Sequence, residues 1–390
     1  MCTYLQKLRK SFLILVKLQK LKKDINFYNI MVPVSVNTYE YIPPTYLQKS
    51  PIILTFISLL GLLIFLLINI AFATLAERKV MASIQRRTGP NVIGFLGFLQ
   101  PFADGLKAIL KEPIIPRNAN FILFILAPNL VLFLSLIVWI FIPLTLQSYT
   151  NFSLTLLYIM VVSVLEIYGT LFAGWASNSK YALLGGLRST AQLISYEIAL
   201  GFVILCIILC SGSLNLIDIV LIQYYSNIWF IFPLLPLAMI FSICMLAETN
   251  RTPFDLPEAE AELVAGYNVE YSGLLFAFFF LGEYSNMLLL SSLFTLLFLG
   301  GWSLYPVSMD SDFLNSCIFS LKVLILFFFF IWVRATLPRY RYDQLMNIGW
   351  QIFLPLTFGF LVFLIVIFFI FDAFPYQPDL FFSLRYNLYM

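Results

Sequence analysis

The residues with chemical capacity in this 390-residue chain are carboxylates, arginines and tyrosines, because histidine is absent altogether. Without histidine the commonest transition-metal ligand and the usual general base at neutral pH are both missing. Five cysteines do not replace it. Cys206 and Cys210 lie one helical turn apart in an apolar run, where thiols behave as small hydrophobes. Cys2, Cys244 and Cys317 are isolated, so neither a disulfide framework nor a CxxC metal site is suggested. Proton chemistry in such a chain has to rest on Glu, Asp, Lys, Tyr and ordered water.

The densest concentration of those groups is ETNRTPFDLPEAEAELVAGYNVEYS, from Glu248 to Ser272. It sets Glu248, Asp255, Glu258, Glu260, Glu262 and Glu270 against a single Arg251. Glu258 and Glu262, four apart, share a helical face, and Glu260 points away. A solvated acidic loop is the plain alternative. Against it, the acids are interleaved with Leu256, Leu263, Val264 and Val269 and follow an apolar segment directly. Clustered carboxylates near lipid have raised proton affinities and titrate together, so this loop is a candidate for proton handling. A second stretch, VRATLPRYRYDQLMNIGW, alternates Arg334, Arg339 and Arg341 with Tyr340 and Tyr342, and Asp343 follows. A third, from Glu77 to Asn120, displays Arg86, Arg87, Gly89 and Pro90 as a tight turn. Pro101 then opens a short amphipathic helix that ends near Pro113, with Phe102, Leu106, Ile109 and Leu110 on one face and Asp104, Lys107 and Lys111 on the other.

The elements that must position these groups are membrane helices. Only 11% of residues are charged and 61% are hydrophobic, whereas soluble domains carry roughly 25% charged residues. That excludes an ordinary cytosolic enzyme, a disordered regulator and a nucleic-acid binder working through a basic patch. Eight windows near the ~20 apolar residues a spanning helix needs fall at 52–76, 121–142, 153–175, 191–211, 229–247, 273–300, 316–337 and 351–372. The runs do not alternate as barrel strands would, so the expected fold is an all-α, polytopic bundle of about eight transmembrane helices, with two long loops on one side. The loops at 77–120, 176–190, 248–272 and 338–350 hold twelve Lys and Arg, and those at 143–152, 212–228 and 301–315 hold none. By the positive-inside rule the first set faces the cytoplasm or matrix.

Glu166, Glu197, Glu283, Lys322 and Arg334 fall inside these windows. Charge at mid-membrane is expensive and marks functional positions. At 1.5 Å per residue, Glu197 lies roughly 9 Å from the positive-side end of its helix, Glu166 and Glu283 roughly 14–15 Å, and Arg334 about 5 Å. Lys322 lies near the other face and is read as snorkelling outward. Residues 1–49 stand apart: eight Lys and Arg against Asp24 and Glu40, with Leu5, Leu8, Phe12, Leu15 and Val16 on one helical face. Such a start resembles an organelle transit peptide, but its dominance by Lys favours an interfacial helix on lipid headgroups or a neighbouring subunit.

The strings ERKVMASIQRRTGPN, GFLQPFADGLKAILKEP, GWASNSKYALLGGLRSTAQLISYE, AETNRTPFDLPEAEAELVAGYNVEY and RATLPRYRYDQLM closely resemble subunit 1 of the proton-pumping NADH:ubiquinone oxidoreductases, respiratory complex I. The match covers roughly 50–372. The Phe, Ile and Leu bias suits a mitochondrial origin. The resemblance implies a multi-pass subunit of the mitochondrial inner membrane with its positive loops toward the matrix. It also implies no independent activity: a role within an NADH:ubiquinone reductase that translocates protons. Ubiquinone is then the substrate, with no metal or flavin on this chain and NADH, FMN and iron–sulfur clusters on partner subunits. The implied partners are hydrophilic quinone-site subunits, small membrane-arm subunits beside the carboxylate path, and lipids, with no nucleic acid.

By motif, the resemblance places Arg78, Asp104 and Arg334 at the quinone chamber. Glu197, Glu248, Asp255, Glu258, Glu260, Glu262 and Glu283 form the carboxylate path, with Arg251, Arg339, Arg341 and Asp343 as ion-pair partners and Tyr196 as a polar neighbour. The chain divides accordingly into a basic extension over 1–49, the eight-helix quinone and proton-coupling body over 50–372, and a tail over 373–390. Two features depart from the family's pattern. The extension has no counterpart in it, and Glu166 stands where a small or apolar residue is expected, either adding a proton carrier or pairing locally. Two other readings share the intramembrane carboxylates: a membrane subunit of an energy-converting hydrogenase, and a stand-alone cation/proton transporter. The transporter reading calls for inverted repeats, and none is visible.

Overall fold

A computed structural model describes residues 52–145, 152–255, 266–304 and 312–371. The basic extension, the carboxyl-terminal tail, and Glu258, Glu260 and Glu262 lie outside the described residues. Every regular element among those described is helical: α1 (Ile52–Ile84), α2 (Gln100–Leu110), α3 (Phe121–Ile137), α4 (Thr155–Ala176), α5 (Lys180–Ser211), α6 (Leu216–Ser226), α7 (Leu235–Glu248), α8 (Leu274–Phe298), α9 (Asp312–Thr336), α10 (Tyr342–Asn347) and α11 (Leu354–Phe371). A π-helical turn, Ile348–Phe353, joins the last two into one continuous helical run.

Seven helical stretches are long and apolar enough to cross a membrane, and the window at 229–247 is not among them. Its helix, α7, has only 14 residues, about 21 Å at 1.5 Å per residue against a hydrocarbon core of about 30 Å. Two prolines cause the shortening. Pro236 sits in the first turn of α7, where its missing amide is not needed, and Pro233 disfavours helix in the residue before it. The chain therefore turns through Phe230–Leu234 before the helix starts. Conversely, α5 has 32 residues and begins at Lys180, capped by the Ser179 hydroxyl accepting from the Ala182 amide at 3.3 Å. Lys180 and Arg188, expected in a loop, ride on its first turns. The segment 212–228, also expected as a loop, carries α6, whose Gln223 amide donates to the Leu296 and Leu297 carbonyls at the end of α8 at 3.0 and 3.1 Å.

Association of helices in lipid is driven by close packing and polar contacts, since lipid tails are as apolar as the side chains. Val131 of α3 is a knob between two glycines. A Cβ on Gly169 of α4 would lie 2.4 Å from one of its methyls, and a Cβ on Gly282 of α8 2.9 Å from the other. Gly185 of α5 meets Gly266 in the turn before α8, where a Cβ would lie 2.6 Å from the Gly266 Cα. These contacts bring α3, α4, α5 and α8 close enough for their polar side chains to meet. The outward faces of α9 and α11 remain apolar and exposed, with Ile325, Phe369 and Ile370 among the most open. Helix α2 begins one residue before Pro101, and its apolar face (Phe102, Leu106, Ile109 and Leu110) is likewise exposed.

Candidate functional site

The charged side chains collect into two buried centres that share α8. The first is a clamp around Glu77 of α1, which is only 4% exposed. Arg251, in the turn after α7, donates to its Oε1 at 3.3 Å, and Arg334 of α9 pairs with the same oxygen. The Tyr284 hydroxyl of α8 donates to Oε2 at 2.5 Å. The Arg251 guanidinium also lies 4.6 Å from the centre of the Tyr284 ring, a cation–π distance. One carboxylate is thus held by two cations and a phenol drawn from three separate segments.

The turn that delivers Arg251 is fastened independently. Gln192 of α5 donates to the carbonyls of Ala247 and Phe254, at 2.8 and 2.9 Å. The Tyr340 amide donates to the Pro253 carbonyl at 3.0 Å, and the rings of Phe254 and Tyr340 stack at 5.7 Å. Arg339 pairs with Asp255 at 3.2 Å. Tyr196, fully buried, donates to the Leu345 carbonyl at 3.1 Å and packs on Phe254 and Phe353. The positions of Gln192 and Tyr196 four apart on α5, one face of a helix, let that helix fix both loops at once.

The second centre is a polar cavity of about 40 Å³ lined by Glu166, Glu197, Glu248, Asn250, Tyr267 and Glu283, among others. That exceeds the roughly 10–15 Å³ needed to hold a water. Its carboxylates meet neutral donors. Ser163 donates to Glu197 at 2.8 Å, Tyr267 to Glu283 at 3.0 Å, and Asn286 to Glu166 at 2.6 Å. Glu248 Oε2 and Asn250 Oδ1 are buried with no hydrogen-bond partner among the described residues. Carboxylates that line one small low-dielectric space interact electrostatically across it.

Next to the clamp lies a larger apolar cavity of about 590 Å³ between α1, α8 and α9, lined by Leu62, Phe72, Ala76, Trp139, Phe319 and Phe327 among others. Its volume is within the ~300–1,000 Å³ of small-molecule sites, and Ala76 places it one residue from Glu77. On the surface beyond, Arg78 pairs with Asp104 of α2 at 2.5 Å, and Gln100 also donates to that carboxylate, at 3.0 Å.

The model of the NADH dehydrogenase family matches residues 57–365. NADH-ubiquinone oxidoreductase chain 1 of Cyanidium caldarium is 54% identical over 326 residues, covering 83% of this chain and 94% of the relative. The same-named chain of Arabidopsis thaliana is 54% identical over 301 residues, covering 77% and 92%. The chain belongs to this family. A bacterial member, an NADH-quinone oxidoreductase subunit of Paramagnetospirillum magneticum, is 53% identical over 299 residues, covering 76% and 87%. With its seven long apolar helices, the chain is a multi-pass membrane member of the family.

The structure unites some of the sequence-derived residues and separates others. Glu197, Glu248 and Glu283 share the cavity. Asp255 pairs with Arg339, and Arg251 pairs with Glu77 of α1. Arg341 and Asp343 make no ion pair among the described residues. Lys322 does not snorkel: its ammonium donates to the carbonyls of Leu299, Gly301 and Ser303, each at 2.8 Å, under the ring of Trp229. Sequence reasoning missed Glu77, the centre of the clamp, although it opens the ERK motif. The predicted span stopped one residue before it, and it was counted with a loop. Tyr267, in the turn before α8, and Tyr284 and Asn286, on α8, were missed because a lone tyrosine or asparagine carries no charge to draw attention.

Proposed function

We propose that this chain is the membrane component of a proton-translocating NADH–quinone oxidoreductase that forms part of the ubiquinone-access chamber and begins the carboxylate path from quinone reduction to proton transfer. Family membership supports the coarser part: the relatives are named as chains of NADH-ubiquinone and NADH-quinone oxidoreductases. On this reading the protein resides in the mitochondrial inner membrane with its positive loops toward the matrix, and partner subunits carry NADH, FMN and iron–sulfur clusters.

One observation carries the finer part. The single turn Glu283–Asn286 of α8 touches both centres: Tyr284 enters the Glu77 clamp, while Glu283 and Asn286 enter the carboxylate cavity. The turn after α7 does the same, with Glu248 in the cavity and Arg251, three residues later, in the clamp. The apolar cavity suits an isoprenoid tail, and Ala76 in its lining is the residue before Glu77 of the clamp, where the quinone head would meet charge. Quinone reduction adds two electrons and takes up two protons. Negative charge developing near Arg251 and Arg334 competes with Glu77 for the two guanidiniums. Any shift of Arg251 or Tyr284 is passed along one helical turn to Glu248 and Glu283, where protons are exchanged.

The test is Glu248→Gln in the assembled enzyme. Quinone reduction and proton translocation should fall together, with NADH-driven reduction of the partner clusters read as the assembly control. Normal quinone turnover and translocation in that variant would sink the proposed link.

A further inference from the structure

Glu166 is the cavity residue that the family motifs leave unassigned, and its surroundings give it a role. It projects from α4 toward α8, where the Asn286 amide donates to its Oε1 at 2.6 Å. Asn286 follows Glu283 by three residues, so both lie on the cavity face of one turn. A neutral amide donor suits either protonation state: it bonds a carboxylate oxygen or the carbonyl oxygen of a carboxylic acid equally well. Glu77 contrasts with this: its partners include two guanidiniums.

A second observation points to water in the cavity. Asn250, only 8% exposed, lines it with a side-chain oxygen that finds no hydrogen-bond donor among the described residues. A buried acceptor in a polar space large enough for water is where ordered water belongs. The groups facing Glu166 across that space are Glu197 from α5 with its Ser163 partner, Glu248 from the end of α7, Glu283 from α8, and Tyr267 from the turn before α8. Helix α3 contributes Val131, which does not titrate.

We infer that Glu166 is a fourth proton-exchanging carboxylate of this cavity, joined to Glu197, Glu248 and Glu283 through water, with Asn286 as its positioning residue. This rests on the carboxylate-path reading above. The step is a proton transfer alone. A proton reaches a Glu166 oxygen from a cavity water and leaves by the same chain, with no change in heavy-atom bonds or oxidation state.

The experiment is Glu166→Gln in the assembled enzyme, read by infrared difference spectroscopy during quinone reduction and by the pH profile of proton translocation. Glutamine keeps the volume and offers Asn286 a carbonyl oxygen, so a purely local pair survives the change while titration is removed. The expected result is the loss of one carboxyl C=O stretching signal that shifts in ²H₂O. The pH profile of translocation should also change, because one exchangeable carboxyl has been removed from the cavity. A companion Asn286→Leu variant should retain that signal at a displaced frequency. An unchanged set of carboxyl signals with an unchanged pH profile in Glu166→Gln overturns the inference. Failure of the path reading is seen separately, in Glu248→Gln.

Discussion

The Glu77 clamp makes a graded prediction, because its members are not equally buried. The side chains of Glu77 and Arg251 are 5% and 6% exposed, whereas that of Arg334 is 33% exposed. In Glu77→Gln the Arg251 guanidinium is left buried without its carboxylate. Removing one member of a buried ion pair costs about 3–5 kcal/mol, mostly because the other charge is stranded. The ring of Tyr284 stays beside Arg251 and offsets about 0.5–2 kcal/mol of this. Arg251→Leu strands Glu77 less completely, since Arg334 and Tyr284 still reach it. Arg334→Leu removes a cation that water already screens. Its cost falls between the ~1 kcal/mol ceiling of an exposed pair and the ~3 kcal/mol floor of a buried one.

The expected order of damage is therefore Glu77→Gln, then Arg251→Leu, then Arg334→Leu. At about 1.4 kcal/mol per factor of ten, the midpoints for the first and last, about 2.8 and about 2 kcal/mol, differ by roughly three- to fourfold in the closed-to-open ratio of the clamp. The assay is the temperature at which the chain is lost from the detergent-solubilised enzyme, measured for each variant and for the double variant Glu77→Gln/Arg251→Leu. The double variant should cost less than the sum of its singles, because the second change removes the stranded charge. Additive costs, or an Arg334→Leu as damaging as Glu77→Gln, would refute the reasoning.

Two further outcomes follow from packing. Gly185→Ala would place a Cβ 2.6 Å from the Gly266 Cα, so it should displace the turn that carries Tyr267. Overpacking of this kind costs about 1–3 kcal/mol, and quinone-linked translocation should fall along with thermal stability; wild-type behaviour in both would show that the contact tolerates a methyl group. Lys322→Met removes the donor to three carbonyls, and with charged hydrogen bonds at about 1.5–3 kcal/mol each, faster backbone amide exchange is expected in residues 299–303. Unchanged exchange there would mean that the glycines at 300 and 301 hold the loop without the ammonium.

The helices were legible because their signal is long and redundant. Windows of about 20 apolar residues survive an error of several residues at either end, as with α1, which runs to Ile84 rather than 76. The failures came where one or two residues override composition. Pro233 and Pro236 shorten an apolar stretch into α7, and Ser179 starts α5 eleven residues before its apolar window. The site was legible in its carboxylates, which are conspicuous in an apolar chain, but its pairing was not. Arg251 lies closer in sequence to Asp255 and Glu248 than to Glu77, 174 residues away. Nothing local distinguishes these partners. The choice is made by how α1, α8 and α9 pack, a property of the whole bundle. Lys322 shows the same limit from the other side. Its distance from the end of α9 suggested snorkelling, yet its ammonium is taken up by three carbonyls of the loop after α8.

The GEYSN turn gives a physical reason for the short distance between the two centres. Successive residues on an α-helix point about 100° apart, so four consecutive positions sample the full circumference. Glu283 faces the cavity, Tyr284 the clamp, Ser285 the Ser135 carbonyl and Trp139 indole of the α3 segment, and Asn286 the cavity again, beside Glu166. A polar residue at each of these positions is costly in a membrane helix unless each has a partner, and each has one. The helix cannot rotate there without breaking contacts on all sides. It can respond only by changing which side chains hold protons or by shifting Tyr284 with Arg251. Rigid backbone with exchangeable protons is what local electrostatic coupling requires, and on the proposed reading it would be confined to one turn of helix and the turn of chain that packs beside it.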